Sequence, residues 1–182
     1  MTEKDLAERV EQATNELAES KEAGDETSQL VFVNAASIDM AFHISSTVEL
    51  VTAQHLTITN LPHLKSPLIG VVRRRGRLIP VIDGGLLIGG MPASRGSHGR
   101  LVVCKGPEGE LGILVDEVTS VTTVKNCDFR EMASSQWSSA GEFISAVVEF
   151  SSVDHVVIDI ALLWNNLRSR VPLREAHSWN RA

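Results

Sequence analysis

The order of apolar and polar residues along most of the chain is typical of short β-strands separated by turns. Short apolar runs recur from residue 30 onward, and clusters of Asn, Gly, Pro and Ser separate them. Strands do not alternate with helices, which disfavours a doubly wound sheet. The pattern therefore predicts an all-β fold. Its strands are expected at Leu30–Val33, Ile38–Ile44, Leu56–Thr59, Leu68–Asp83 (a hairpin), Arg100–Lys105, Glu110–Val115, Val121–Val124, Phe143–Phe150 and His155–Ile160.

Two short segments carry helical signals instead. Ser45 to Val51 can form one helical turn in which Glu49 completes a capping box, and Ala161 to Arg168 has helical spacing. Before residue 30 the chain is acidic and polar with a thin apolar stripe, so a mobile leader or a short helix is expected there. The predicted organisation is a leader over 1–29, one β domain over 30–168 and a loose tail over 169–182.

An internal repeat divides the β domain. Leu68–Val71 resembles Ile144–Val147, and each segment is followed at the same spacing by an aspartate, Asp83 or Asp159, and then by two leucines. The repeat predicts two similar β-subdomains of about five strands, packed together as small barrels, because barrels remove exposed strand edges. The subdomains are expected to interleave near residues 30–99 and 100–160.

The hairpin Leu68–Asp83 has an unusual charge at its tip. If Arg75 and Gly76 form a two-residue turn, with Gly76 at positive φ, the register follows directly. The facing pairs are then Arg74 with Arg77, Val72 with Ile79 and Leu68 with Asp83. Four arginines, at positions 73, 74, 75 and 77, crowd the tip, and facing like charges destabilise a strand pair. The arrangement therefore predicts an acidic partner outside the hairpin.

Composition and motifs exclude several other functions. The net charge of -6 argues against a general nucleic-acid binder, and the longest apolar run is far short of the ~20 residues of a membrane helix. We therefore expect a cytoplasmic chain that neither binds nucleic acid nor inserts directly into a membrane. The six histidines show no ligand spacing, and the glycines of Gly84–Gly90 lack the Lys and Ser/Thr of a phosphate loop. No catalytic residue, cofactor or metal is predicted.

Trp137 lies in a serine-rich stretch. It either folds back into the core or stays exposed, in which case it would anchor a protein interface.

Four stretches of the predicted β domain carry motifs in a characteristic order: Ile58–Pro62, Gly70–Gly76, Leu78–Asp83 and Gly112–Val118. On these motifs, residues 30–168 resemble the CheW-like domain of bacterial chemotaxis adaptors. In such domains the second motif usually reads Gly-Val-x-Asn-Leu-Arg-Gly. Here Arg75 and Gly76 match its final Arg-Gly, whereas Arg73 and Arg74 stand in place of Asn and Leu. In the second half, Ala146 replaces the usual glycine.

The resemblance implies a pair of five-stranded barrels that acts as a non-enzymatic scaffold. Such scaffolds bridge the cytoplasmic tip of a chemoreceptor and the regulatory domain of a CheA-type histidine kinase, which recruits them to membrane receptor arrays. By motif match, Arg75 takes the place of the arginine on the receptor-facing surface, and Glu49 matches the acidic residue of a Val-x-Glu-Ile stretch. The expected protein interface comprises Val48, Glu49, Arg73, Arg74, Arg75, Gly76, Arg77 and Trp137.

Two alternatives stay open at this point. The chain could be a small-molecule-binding regulatory β-barrel domain that uses the groove between the barrels. It could also be the adaptor of a non-flagellar pathway, for pilus motility or surface sensing.

Overall fold

The computed structural model describes residues 26–62, 65–94, 96, 98–131 and 141–170. Trp137, most of the expected leader and most of the expected tail lie outside these residues. The described residues form eleven strands and two short α-helices. Their bounds are β1 Thr27–Ala35, β2 Ile38–His43, β3 Thr47–Thr52, β4 Leu68–Arg74, β5 Arg77–Asp83, β6 Arg100–Lys105, β7 Glu110–Val115, β8 Glu117–Lys125, β9 Phe129–Arg130, β10 Ile144–Phe150, β11 Val153–Ile158, α1 Gly84–Leu87 and α2 Ile160–Arg170.

The strands form two sheets. The first sheet has the order β8-β1-β2-β11-β10-β9, and the second has the order β3-β6-β7-β5-β4. Each sheet contains one parallel pair, β2 with β11 and β5 with β7, among antiparallel neighbours. The predicted all-β fold of two packed units is confirmed. The first sheet has six strands rather than five because the two-residue β9 adds to the edge beside β10.

The predicted repeat is present in the pairing of both sheets. In each, one hairpin (β1–β2 or β6–β7) joins in parallel to a second hairpin (β10–β11 or β4–β5). The register shifts at the start of both second hairpins, between Leu68 and Gly70 and between Ile144 and Ala146. Both second hairpins also end on an aspartate whose side chain accepts a backbone N–H three residues further on.

Both faces of β1, in the first sheet, are buried along the middle of the strand. Val31 and Val33 belong to a large core shared with the second sheet, whereas Leu30 and Phe32 belong to a smaller core on the opposite face. In that smaller core, Phe32 stacks on Phe150 with ring centroids 4.4 Å apart. Because successive side chains of a strand point to opposite faces, β1 contributes to both cores, and the shared core holds the two sheets together.

Several predicted boundaries are wrong. The helical turn expected over Ser45–Val51 is a 3-10 turn at Ile44–Ser46 followed by β3, because residues of β3 pair with β6. Glu49 therefore lies in a strand and not in a capping box. The strand expected at Leu56–Thr59 is only an isolated bridge between Thr59 and Val71.

The strands are also divided between the two sheets differently from the predicted division of the domain near residue 99. Strands of the first sheet come from residues 27–43 and 117–158, and those of the second sheet lie within residues 47–115. The reason is that β1 pairs with β8, far along the chain, as well as with β2. This pairing extends β1 back to Thr27, inside the expected leader, and α2 runs on to Arg170, beyond the expected end of the domain.

Candidate protein-interaction site

The tip of the β4–β5 hairpin is a two-residue turn. Arg75 and Gly76 both have positive φ, 47° and 80°, which is typical of the turn whose twist matches an antiparallel hairpin. Gly76 takes the positive φ as predicted, and Arg75 takes one as well. The predicted pairs Arg74 with Arg77 and Val72 with Ile79 are confirmed.

The lower end of the hairpin differs from the prediction. Leu68 faces Ile82 rather than Asp83, because an extra residue is accommodated between Leu68 and Gly70. A Cβ atom at Gly70 would lie 2.4 Å from the carbonyl oxygen of Thr59. Glycine is therefore required where the chain before β4 approaches this bulge.

Glu49 is the centre of an ion-pair cluster, the Glu49 cluster, formed with Arg74 and Arg75. Arg74 donates from Nε to Glu49 Oε1 at 3.2 Å and from Nη2 to Oε2 at 3.3 Å. Arg75 donates from Nη2 to Oε2 at 2.9 Å. The side chains of Glu49, Arg74 and Arg75 are 17%, 31% and 75% exposed, so the cluster runs from a mostly buried carboxylate out to solvent.

The Glu49 cluster joins the two edges of the second sheet. Glu49 belongs to β3 and Arg74 to β4, which lie at opposite ends of the strand order. The ion pair therefore requires the sheet to curl until its edge strands approach each other. This curling agrees with the barrel expected from the sequence and places the arginine tip beside β3.

The acidic partners expected outside the hairpin are present in the same chain for three of the four arginines. Arg77, on the strand opposite Arg74, lies 3.8 Å from Glu110 of β7. Arg74 and Arg77 lie on the same face of the hairpin as the buried Val72 and Ile79, because facing residues and residues two apart share a face. The inner face of the tip is thus neutralised internally.

The outer face of the tip is different. Arg73 alternates with Arg74 along β4 and is exposed, and no acidic side chain in the described part of the chain is recorded as its partner. It faces Leu78, which is 69% exposed. The outer face therefore offers a cation beside an exposed apolar side chain.

Apolar side chains also flank Glu49. Val48 and Leu50 are both exposed large hydrophobic residues, although they lie in β3 of a well-packed sheet. Single exposed aliphatic residues are ordinary, but Val48 and Leu50 stand on either side of Glu49 in sequence, and the exposed Leu78 faces Arg73 across the hairpin. An arginine set with neighbouring apolar side chains is a composition that suits a protein interface.

A family model and two known proteins resemble this chain. The model of the CheW-like domain matches residues 29–167. The chain belongs to the CheW-like family. It is also 32% identical over 66 residues to a probable chemotaxis protein CheW from Rhizobium etli, a match that spans 36% of this chain and 43% of that protein. The fold is similar to that of the scaffolding protein TtCheW from Thermoanaerobacter tengcongensis, with a TM-score of 0.68 and 19% identity over 76% of this chain and 92% of that one.

CheW-like proteins are scaffolds and adaptors of chemotaxis rather than enzymes, which agrees with the non-enzymatic role predicted for this chain. The one thiol inside the described core stays protonated, because burial raises the pKa of Cys104 from 9.0 to about 12, although a hydrogen bond with Thr47 lowers it in part. None of the helices in the described ranges is long and apolar enough to cross a membrane.

The structure brings together most of the predicted interface residues of this CheW-like domain. Glu49, Arg74 and Arg75 are in direct contact, and Gly76 forms the turn beside them. Arg77 lies on the same tip but pairs elsewhere, and Trp137 is outside the described residues. Sequence reasoning did not single out Glu110, Leu50 and Leu78. The strand alternation could have indicated Leu50 and Leu78, whereas the pairing of Glu110 depends on the neighbouring strand.

Proposed function

We propose that this chain is a chemotaxis adaptor that couples chemoreceptors to a CheA-type histidine kinase, and that Arg75 of the arginine tip, which Glu49 holds in place, binds the receptor. The adaptor acts in the cytoplasm and is recruited to receptor arrays at the membrane. The observation that carries the proposal is the exposed Arg75 side chain, held next to Glu49 on the tip that matches the family motif.

The chemistry of the tip supports a protein partner. A guanidinium group binds a carboxylate through two parallel hydrogen bonds, which gives both affinity and a defined geometry. Receptor tips of this signalling class are helical hairpins with carboxylates along their faces. Val48, Leu50 and Leu78 would add apolar contact area around the charged group.

The family match does not favour the alternative of a small-molecule-binding domain. A pilus or surface-sensing pathway would use the same kind of adaptor with a different receptor set. The partners recovered from the native cell, identified by mass spectrometry, distinguish the two pathways.

The test is co-sedimentation of the purified chain with receptor cytoplasmic fragments and a CheA-type kinase from the same genome. We expect Arg75→Ala to abolish receptor-dependent sedimentation while its thermal transition stays close to that of the parent chain. The matched control is Arg130→Ala, which removes an exposed arginine from β9 of the other sheet. Normal binding by Arg75→Ala, or equal loss in both variants, would refute the interface.

A further inference from the structure

We propose that Arg74 makes Arg75 available to the partner protein. Because Arg74 neutralises Glu49 by itself, the Arg75 guanidinium can leave the Glu49 cluster and bind a carboxylate on the partner. This inference rests on the proposed function, because it assumes that the partner binds at the arginine tip. It assigns Arg74 a positioning role that acts through another residue.

The hydrogen bonds of the cluster are unequal. Arg74 engages both oxygens of Glu49, through Nε and Nη2, whereas Arg75 shares only Oε2. If Arg75 turns away, each of the two carboxylate oxygens of Glu49 still accepts a hydrogen bond from the Arg74 guanidinium. The carboxylate therefore does not lose its neutralising charge when Arg75 is released.

The difference in burial between Glu49 and Arg75 supports the same conclusion. Glu49 is mostly buried, and a carboxylate withdrawn from water is costly to leave without a partner. Arg75 is mostly exposed, and an ion pair with an exposed partner contributes little. Glu49 therefore depends on its ion pair with Arg74 and can lose its ion pair with Arg75.

In a variant without Arg74, the neutralisation of Glu49 would depend on Arg75. Among the described residues, Arg75 would then be the one recorded cation on Glu49, and binding a partner through Arg75 would leave the carboxylate unpaired. Arg77 does not replace Arg74, because it is directed to Glu110 on β7. Removing Arg74 should therefore weaken partner binding even though Arg74 itself need not touch the partner.

The partner group that fits is an aspartate or glutamate side chain on an exposed, partly apolar protein segment. The charge at the released Arg75 selects a carboxylate, and the guanidinium fork selects a planar anion. Exposed Arg73 with Leu78 on the outer face can bind a second acidic residue and an apolar one. An acidic amphipathic helix presents such groups on one face.

The test is the affinity of the purified receptor cytoplasmic fragment for four variants at one fixed ionic strength. We expect Arg74→Leu to weaken binding about fivefold, the size of one surface ion pair. We expect Arg74→Leu combined with Glu49→Gln to return to within about twofold of the parent chain, because no buried charge is then left unpaired. Arg77→Leu is the control that removes the same charge from the tip. Any loss of affinity that it causes should remain when Glu49→Gln is added, because Arg77 pairs with Glu110 and not with Glu49.

The outcomes separate the two proposals. If Arg75→Ala binds the receptor fragment normally, the proposed interface fails. If Arg75→Ala abolishes binding while Arg74→Leu binds as the parent chain does, or while Glu49→Gln fails to restore Arg74→Leu, the role of Arg74 fails and the interface stands. Thermal unfolding is measured for every variant, and Arg74→Gln replaces Arg74→Leu, with the same expectations, if the latter does not fold.

Discussion

The repeat allows a direct test of what stabilises this fold, because it places two aspartates at equivalent positions where their side chains accept different hydrogen bonds. Asp83 is the last residue of β5 and is buried, and its side chain accepts N–H bonds from Leu86 at 3.1 Å and from Ala93 at 2.9 Å. Asp159 follows β11 and its side chain accepts one bond, from Leu162 at 2.9 Å. Both cap a helix, and within the described residues Asp83 additionally binds the backbone of Ala93 in the loop that follows the helix.

The expected cost of each substitution follows from these bonds. Loss of a helix N-cap destabilises by about 1 kcal/mol, which is the whole effect expected for Asp159→Ala. Asp83→Ala loses the cap and also the charge-assisted bond to the buried N–H of Ala93, which adds about 2 kcal/mol. We therefore expect Asp83→Ala to lower the free energy of unfolding by about 3 kcal/mol, out of a total of about 5–15 kcal/mol.

Urea-induced unfolding followed by tryptophan fluorescence measures both variants. For an m-value of about 2 kcal/mol/M, Asp83→Ala should lower the midpoint by about 1.5 M and Asp159→Ala by about 0.5 M, with m unchanged. Asp83→Asn, which keeps one carbonyl oxygen, should fall between them. Equal midpoints for the two alanine variants would show that the bonds to Ala93 contribute nothing, and the reasoning would be wrong.

Two further predictions concern the hairpin and the core thiol. Gly70→Ala should destabilise the chain by about 1–3 kcal/mol in thermal unfolding, because the new Cβ would lie 2.4 Å from a backbone oxygen. Gly76→Ala should cost only about 1 kcal/mol of backbone strain, because its Cβ would meet no atom within 4 Å. A larger loss of stability for Gly76→Ala than for Gly70→Ala would contradict this reasoning. The raised pKa of Cys104 means that the unfolded chain loses the thiol proton first, so stability should fall between pH 9.0 and about 12, and the fall should be smaller in Cys104→Ala. In the native chain a thiol reagent should modify the exposed Cys127 and spare the buried Cys104, and rapid modification of Cys104 would refute its placement.

The strand content and the hairpin tip could be predicted from the sequence because both are set by neighbouring residues. Alternation of apolar side chains marks the strands, and an Arg-Gly pair between two such runs permits a tight turn that fixes the facing residues on either side. The family motif lies in the same stretch, which is why the arginine tip could be singled out as a candidate site. Its role in binding stays a prediction.

Other features depend on residues far apart in the chain. Glu49 follows a hydroxyl-rich segment that can begin a helix, yet it lies in a strand because β6, some fifty residues later, pairs with that segment. The bulge at Gly70 depends on the approach of Thr59, which no local pattern signals. The division of strands between the sheets depends on the pairing of β1 with β8.

The sequence by itself determined that this chain is a β-rich repeat with a basic hairpin tip, because strand period and turn chemistry are local properties. Only the tertiary structure decided which arginine is held and which is exposed. Curling of the second sheet brings Glu49 of one edge strand to Arg74 and Arg75 at the other edge. Charge pairing is a property of distance and burial, and distances between opposite edges of a sheet exist only once the sheet has folded.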